Sequence, residues 1–129
     1  IKFHAGWLEA AQAKLTPGIG VVGTNDLGNP RVMAGDHATH FLVTREYADL
    51  GTIDGAPGLL HEGYHHEYVD DECVATAKKR NAWAFAADSI VEHLHPSWGK
   101  APLDTMYAAQ RFRMRTSGEL FRERRALWT

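Results

Sequence analysis

Ile19-Gly20-Val21-Val22-Gly23 is the stretch on which the fold turns. It is a short apolar run bounded by turn residues, most simply a buried strand. The segment before it, His4 to Leu15, places Trp7, Leu8, Ala11 and Leu15 on one face of a helix. Thr16-Pro17-Gly18 then stops that helix with a residue that cannot continue it and one suited to a turn. A helix leading into a buried strand predicts an α/β layer.

Working outward, Asn25 to His37 is rich in Gly, Asn, Asp and Pro and reads as a loop. A polar loop after a buried strand is a natural place for function, so Asn25, Asp26, Asp36 and His37 are candidate substrate-binding residues. Phe41-Leu42-Val43 reads as a second short strand, Arg45 to Leu50 as one or two helical turns, and Gly51 to Gly58 as another loop. Asp70 to Arg80 reads as a helix. Cys73, Val74 and Ala77 form its apolar stripe, Asp70 is placed as its cap, and Lys78, Lys79 and Arg80 suit its negative end. Trp83, Phe85 and Ala87 alternate as in a strand that Ile90 and Val91 extend. His93 to Pro102 is irregular. Asp104 to Arg115 and Ser117 to Trp128 read as two helices, or one broken at Ser117-Gly118.

The 129 residues amount to about one domain. With 44% hydrophobic and 23% charged residues, the composition excludes a disordered tail or a collagen-like fibre. A net charge of −2 excludes a polycation built for nucleic acid. The charge is uneven: residues 1–103 carry eight Lys/Arg against thirteen Asp/Glu, whereas residues 104–129 carry six Arg against three acids. This divides the chain into a main part, 1–103, and a helical extension, 104–129. The single cysteine, Cys73, cannot form an internal disulfide, which fits a reducing, cytoplasmic setting. No apolar run approaches the roughly 18 residues of a membrane span.

Three clusters carry potential chemistry. His61-Glu62-Gly63-Tyr64-His65 matches HExxH, in which two histidines one helical turn apart hold zinc and the glutamate acts as base. Gly63 and the nearby Pro57-Gly58 argue against the helix that this motif needs. The second cluster is Asp70-Asp71-Glu72. Acids at a helix start complement its dipole, and the same dipole keeps a carboxylate ionised and able to accept a proton from a hydroxyl. The third is His93-Leu94-His95-Pro96, which follows a strand, and strand ends in α/β sheets are where ligands bind. Arg111, Arg113, Arg115, Arg122, Arg124 and Arg125 form either a solvated helical face or a surface for a phosphate-bearing partner or membrane.

In order along the chain come Ala5-Gly6-Trp7-Leu8, a strand ending in Val22-Gly23, a polar loop, Phe41-Leu42-Val43 before Arg45, Asp70-Asp71-Glu72, and Val91-Glu92-His93. This series resembles the second half of a GT-A glycosyltransferase of the family-2 type, in particular the small bacterial and phage versions. The resemblance covers Phe3 to about Tyr107. It implies an α/β fold, the C-terminal part of a Rossmann-like GT-A domain with a mixed sheet and flanking helices. It also implies a nucleotide-binding half of about 100 residues upstream of Ile1, without which the chain would be inactive.

The implied activity is metal-dependent, inverting transfer of a sugar from a nucleotide-sugar donor to a hydroxyl acceptor. The family's acidic helix start, Glu-Asp-x-Asp followed by Gly, maps its catalytic aspartate onto Asp70, with Asp71 in reserve. Glu72 falls at the last acid, among the substrate-binding residues. Val69 stands in place of the leading Glu, and Asn81, which tolerates a left-handed conformation, in place of the Gly. The family's metal-binding histidine maps onto His93, with His95 in reserve, for Mg²⁺ or Mn²⁺. A zinc hydrolase built on HExxH and a non-enzymatic module using the arginine-rich helix are the alternatives.

Overall fold

The computed structural model describes the backbone of all 129 residues and every side chain except those of Met106, Ala108 and Arg111. It is a mixed α/β structure with a four-stranded sheet. The strands are β1 (Lys2–Phe3), β2 (Val21–Asn25), β3 (Phe41–Val43) and β4 (Trp83–Glu92). Their order across the sheet is β1-β4-β2-β3. The central pair, β2 and β4, is parallel, with Val21 opposite Trp83 and Gly23 opposite Phe85. The outer strands β1 and β3 run antiparallel to their neighbours.

Val21 and Val22 show why the run around them had to be a central strand. Adjacent strand residues point to opposite faces, and both valines are completely buried. Val22 packs with Ala11 of α1 (Trp7–Gln12) and with Ala86 on one face of the sheet. Val21 packs with Tyr47, Ala77 and Ala82 on the other. Tyr47 belongs to α3 (Arg45–Ala48), which follows the short α2 (Pro30–Met33) in the loop after β2. Ala77 belongs to α4 (Val69–Lys79). Close packing under the sheet needs glycine at position 23, where an added Cβ would lie 2.8 Å from the Ala38 methyl and collide with the Trp83 ring.

The helix over 70–80 is present as α4, but Asp70 is not its cap. Tyr68, in a left-handed conformation at φ 69°, occupies that position without a side-chain cap bond. Asp70 lies in the first turn, and its Oδ1 accepts the backbone N–H of Asp71 at 3.0 Å. An early carboxylate satisfies a free N–H from inside the turn as well as from the cap. Asn81 does take the left-handed conformation, at φ 55°, between α4 and β4.

The C-terminal segment forms α5 (Thr105–Ala108) and α6 (Gln110–Arg124). The expected break at Ser117-Gly118 does not occur; α6 runs through it. Ser117 is buried and its hydroxyl accepts the backbone N–H of His65 at 3.2 Å, so this point of the helix is a docking contact. Among the described residues, no helix is long and apolar enough to cross a membrane.

Candidate functional site

Parallel strands β2 and β4 end side by side, and the chain leaving each is bound to the other. The backbone N–H of His93 donates to the carbonyl of Asp26 at 3.1 Å. Asp26 is itself fully buried. Its Oδ1 accepts from the N–H groups of Gly28 and Asn29, both at 2.9 Å, and its Oδ2 accepts from the Thr39 hydroxyl at 3.1 Å. An aspartate that bonds the backbone two and three residues ahead folds a turn. Asp26, expected on substrate, is thus spent on shaping the loop. Asn25 is spent similarly: its Oδ1 accepts from Leu27 N–H at 3.0 Å, and its amide donates to the Ala87 carbonyl at 3.1 Å, where the β2–β4 register shifts.

The crevice beyond these strand ends is a cleft of about 670 Å³. The start of α4 forms one wall with Tyr68, Val69, Asp70 and Asp71. His37, Thr39 and His40 come from the loop after β2, and His93, His95 and Trp98 from the chain after β4. Tyr107, whose ring lies 4.5 Å from that of His95, and Arg113 also line the cleft. Asp70, Asp71, His37, His93 and His95 therefore share one site. Among the described residues, Asn25, Asp26, Asp36 and Glu72 do not line it. The Asp36 carbonyl accepts from Lys78 Nζ at 2.6 Å. Glu72 is buried against the C-terminal helix, accepting from Tyr64 Oη at 2.6 Å and from Arg124 at 2.7 and 2.8 Å.

His37 lies between the two aspartates. Its Nε2 is 3.3 Å from Asp70 Oδ2 and its Nδ1 is 3.9 Å from Asp71 Oδ1. Arg31 reaches the same Asp71 oxygen at 2.8 Å. The His37 side chain is only 4% exposed. His37, Asp70 and Asp71 offer ligand atoms that all lie within 4.8 Å of one another, close enough to share a metal ion.

The other histidines form a chain of edge-on rings. His93 lies 5.2 Å from His40 and 5.0 Å from His95, centre to centre. Burial, and then the two neighbouring imidazoles, pushes the His93 pKa down to about 4. Burial also lowers His40 and His95. At neutral pH His93 is an uncharged imidazole in the cleft wall, which is the form that ligates metal. His95 differs. Its Nδ1 accepts the N–H of Ser97 at 3.0 Å, so in the neutral ring the proton sits on Nε2 and neither nitrogen offers a free lone pair. The donor chemistry therefore favours His93 over His95 as a ligand.

The His61–His65 segment is not helical, so two histidines on one helical face are not built there. His61 Nδ1 accepts the N–H of Gly63 at 3.0 Å, which leaves its other nitrogen protonated in the neutral ring. The C-terminal arginines do not form one free basic face either. Arg124 is turned inward on Glu72, and Arg113 donates to Glu67 Oε1 at 3.1 Å. The Arg111 side chain lies outside the described residues.

Sequence reasoning missed Arg31, His40, Trp98 and Tyr107 as lining residues. His40 had a usable signal, since it directly precedes the Phe41-Leu42-Val43 strand beside β2. Trp98 sits two residues after the Pro96 that ends the histidine cluster. Arg31 lies within the Asn25–His37 loop already marked as a place for function but was not singled out there, whereas Tyr107 reaches the cleft through tertiary packing and had no signal. No protein-family model, curated protein or solved structure matches the chain.

Proposed function

We propose that the chain is the acceptor- and metal-side part of a GT-A type glycosyltransferase that moves a sugar from a nucleotide-sugar donor to a hydroxyl acceptor. One observation carries this reading: Asp70, at the start of α4, and His93, at the end of β4, face one cleft at the ends of parallel strands. Ligands bind α/β sheets at such crevices.

Asp70 is the base. Its Oδ1 is engaged by the Asp71 N–H, while its Oδ2 faces His37 at the cleft wall. There it accepts the proton of the acceptor hydroxyl as that oxygen attacks the anomeric carbon, giving inversion. The protonated carboxyl then returns its proton to water. Asp71, held by Arg31, keeps the α4 start in place. Of Mg²⁺ and Mn²⁺, a nitrogen ligand such as uncharged His93 suits Mn²⁺ better than the oxygen-seeking Mg²⁺, and the Ser97 N–H on His95 Nδ1 favours His93 over His95 as that ligand. A divalent cation bound there supplies positive charge for the departing diphosphate.

The test is release of nucleoside diphosphate from UDP-, GDP- and dTDP-sugars by the protein expressed from its complete reading frame, with Mn²⁺ present. Release that Asp70→Asn abolishes is the expected result. No release from any donor would sink the reading.

A further inference from the structure

We propose that His37, Asp70 and Asp71 form a binding site for one borderline divalent cation of the zinc type, separate from His93. The three side chains converge from two parts of the chain, and their ligand atoms lie within 4.8 Å of one another. Donors bonded to zinc at about 2.1 Å in tetrahedral geometry stand roughly 3.4 Å apart. The contacts of 3.3 and 3.9 Å around His37 use different ring nitrogens, and His37 can ligate one ion through only one of them. With one ligand atom from each residue and all three within 4.8 Å, side-chain shifts of roughly 1 Å bring them to that spacing.

His37 supplies the independent sign of a ligand. It is 3% exposed, and its Nδ1 has no hydrogen-bond partner among the described residues. A buried polar nitrogen without a partner is costly, and this one faces a carboxylate in a cleft wall. Both carboxylates are already hydrogen-bonded, Asp70 at Oδ1 by the Asp71 N–H, which leaves Oδ2 beside His37, and Asp71 at Oδ1 by Arg31, which leaves Oδ2 for an ion. Metal-ligating carboxylates are held by outer hydrogen bonds in this manner. Two carboxylates against one guanidinium leave a net negative charge for a cation to offset.

The donor set selects the ion. Mg²⁺ and Ca²⁺ take oxygen ligands, whereas one imidazole with two carboxylates suits zinc. Three protein ligands leave a fourth position open towards the cleft. Zinc on Asp70 would also prevent that carboxylate from accepting a proton, so the ion would oppose the base role proposed above. The site itself does not depend on that role.

The experiment is calorimetric titration of the EDTA-treated, dialysed chain with zinc chloride, with thermal melts to confirm that each variant is folded. The wild type should bind one zinc saturably. Asp70→Asn and Asp71→Asn should each weaken binding by at least about 10-fold, and His37→Gln likewise if it melts as a folded chain. The two aspartate variants decide the matter without it. His93→Ala and His65→Ala should bind as the wild type does. Absence of saturable binding to the wild type overturns the proposal. So does undiminished binding by both aspartate variants, or loss of binding on His65→Ala or His93→Ala instead.

Discussion

Arg124 grips Glu72 with two nitrogens, Nε on Oε2 at 2.8 Å and Nη2 on Oε1 at 2.7 Å. The same guanidinium reaches Asp54 Oδ2 at 2.9 Å, and Tyr64 donates its hydroxyl to Glu72. This group fastens the end of α6 and the loop around residues 54–64 to the first turn of α4, behind the cleft. The pair is largely buried, with side-chain exposures of 12% and 6%. Breaking one side of a buried pair leaves an uncompensated charge and costs about 3–5 kcal/mol, whereas replacing both partners with apolar residues is often close to neutral. Arg124→Met should therefore lower the urea midpoint sharply, and Arg124→Met with Glu72→Met should recover much of the loss. Equal destabilisation by the single and double variants would show that the aliphatic packing of Arg124, not the charge pair, holds the helix.

That pair also shows where sequence reading reached its limit. The strands at Val21–Val22 and Trp83–Val91 and the helix from Asp70 were legible because their apolar spacing is local. His93 was a site candidate because it follows the Trp83–Val91 strand, and Asp70 because it stands at an acidic helix start that matches the family pattern; that the two strands end together was not legible. Glu72, Asp26 and Asn25 looked equally available, since a sequence does not show which carboxylate the fold will consume. Glu72 is taken by an arginine 52 positions away, and Asp26 by N–H groups two and three positions away. The second case leaves a local trace, because an Asp followed by Leu27-Gly28-Asn29 is a turn former. The first leaves none.

The histidine chain sets an acid sensitivity. A group whose folded pKa is depressed below its unfolded value binds more protons when the chain unfolds. For His93 the folded value is about 4 against an ordinary 6.5. Stability is therefore full above pH 6.5 and falls as pH drops through that interval to about 4. His40 and His95 shift in the same direction and add to the slope. Glu92 acts lower: Lys100 and His4 hold it near 2 against an ordinary 4.5, so its contribution is lost only between those values. In urea unfolding at stepped pH, His93→Gln should flatten the decline between pH 6.5 and 4 and leave the lower one. An unchanged slope in that variant would transfer the effect to His40.

Gly23 tests the packing of the sheet. A methyl there meets the Ala38 methyl at 2.8 Å and the Trp83 ring, with Ala38 completely buried. Overpacking of this kind costs about 1–3 kcal/mol. Gly23→Ala should therefore be destabilised by that amount, and Gly23→Ala with Trp83→Leu should be less so. Wild-type stability in Gly23→Ala would mean that β2 and Trp83 are not packed as described. Gly55, where an added Cβ meets nothing within 4 Å but φ is +83°, separates crowding from backbone strain: Gly55→Ala should lose stability through conformation alone.

Asp70 and Asp71 are neighbours in one helical turn, and charge does not distinguish them. Their surroundings do. Asp71 Oδ1 is occupied by Arg31 at 2.8 Å, and the arginine side chain is 60% exposed. Such a pair contributes about 0.2–1 kcal/mol, so Asp71→Asn should lose little stability and retain most transfer activity. Asp70 has divided its oxygens, one to the Asp71 N–H and one to the cleft beside His37. Asn at position 70 preserves the first contact through its carbonyl oxygen but cannot accept a proton. Loss of a positioned base commonly costs on the order of 10²–10⁴ in rate. Asp70→Asn should accordingly fold, still bind the nucleotide sugar with near wild-type affinity, and transfer at a rate reduced by that factor. Measuring donor binding alongside turnover is what makes the comparison decisive. A variant that loses binding and turnover together has lost the cleft's shape, whereas one that loses turnover alone has lost its base. If Asp71→Asn is the silent variant and Asp70→Asn transfers normally, the base is one residue further along α4. If both transfer normally, the proton leaves the acceptor by a route that neither aspartate supplies.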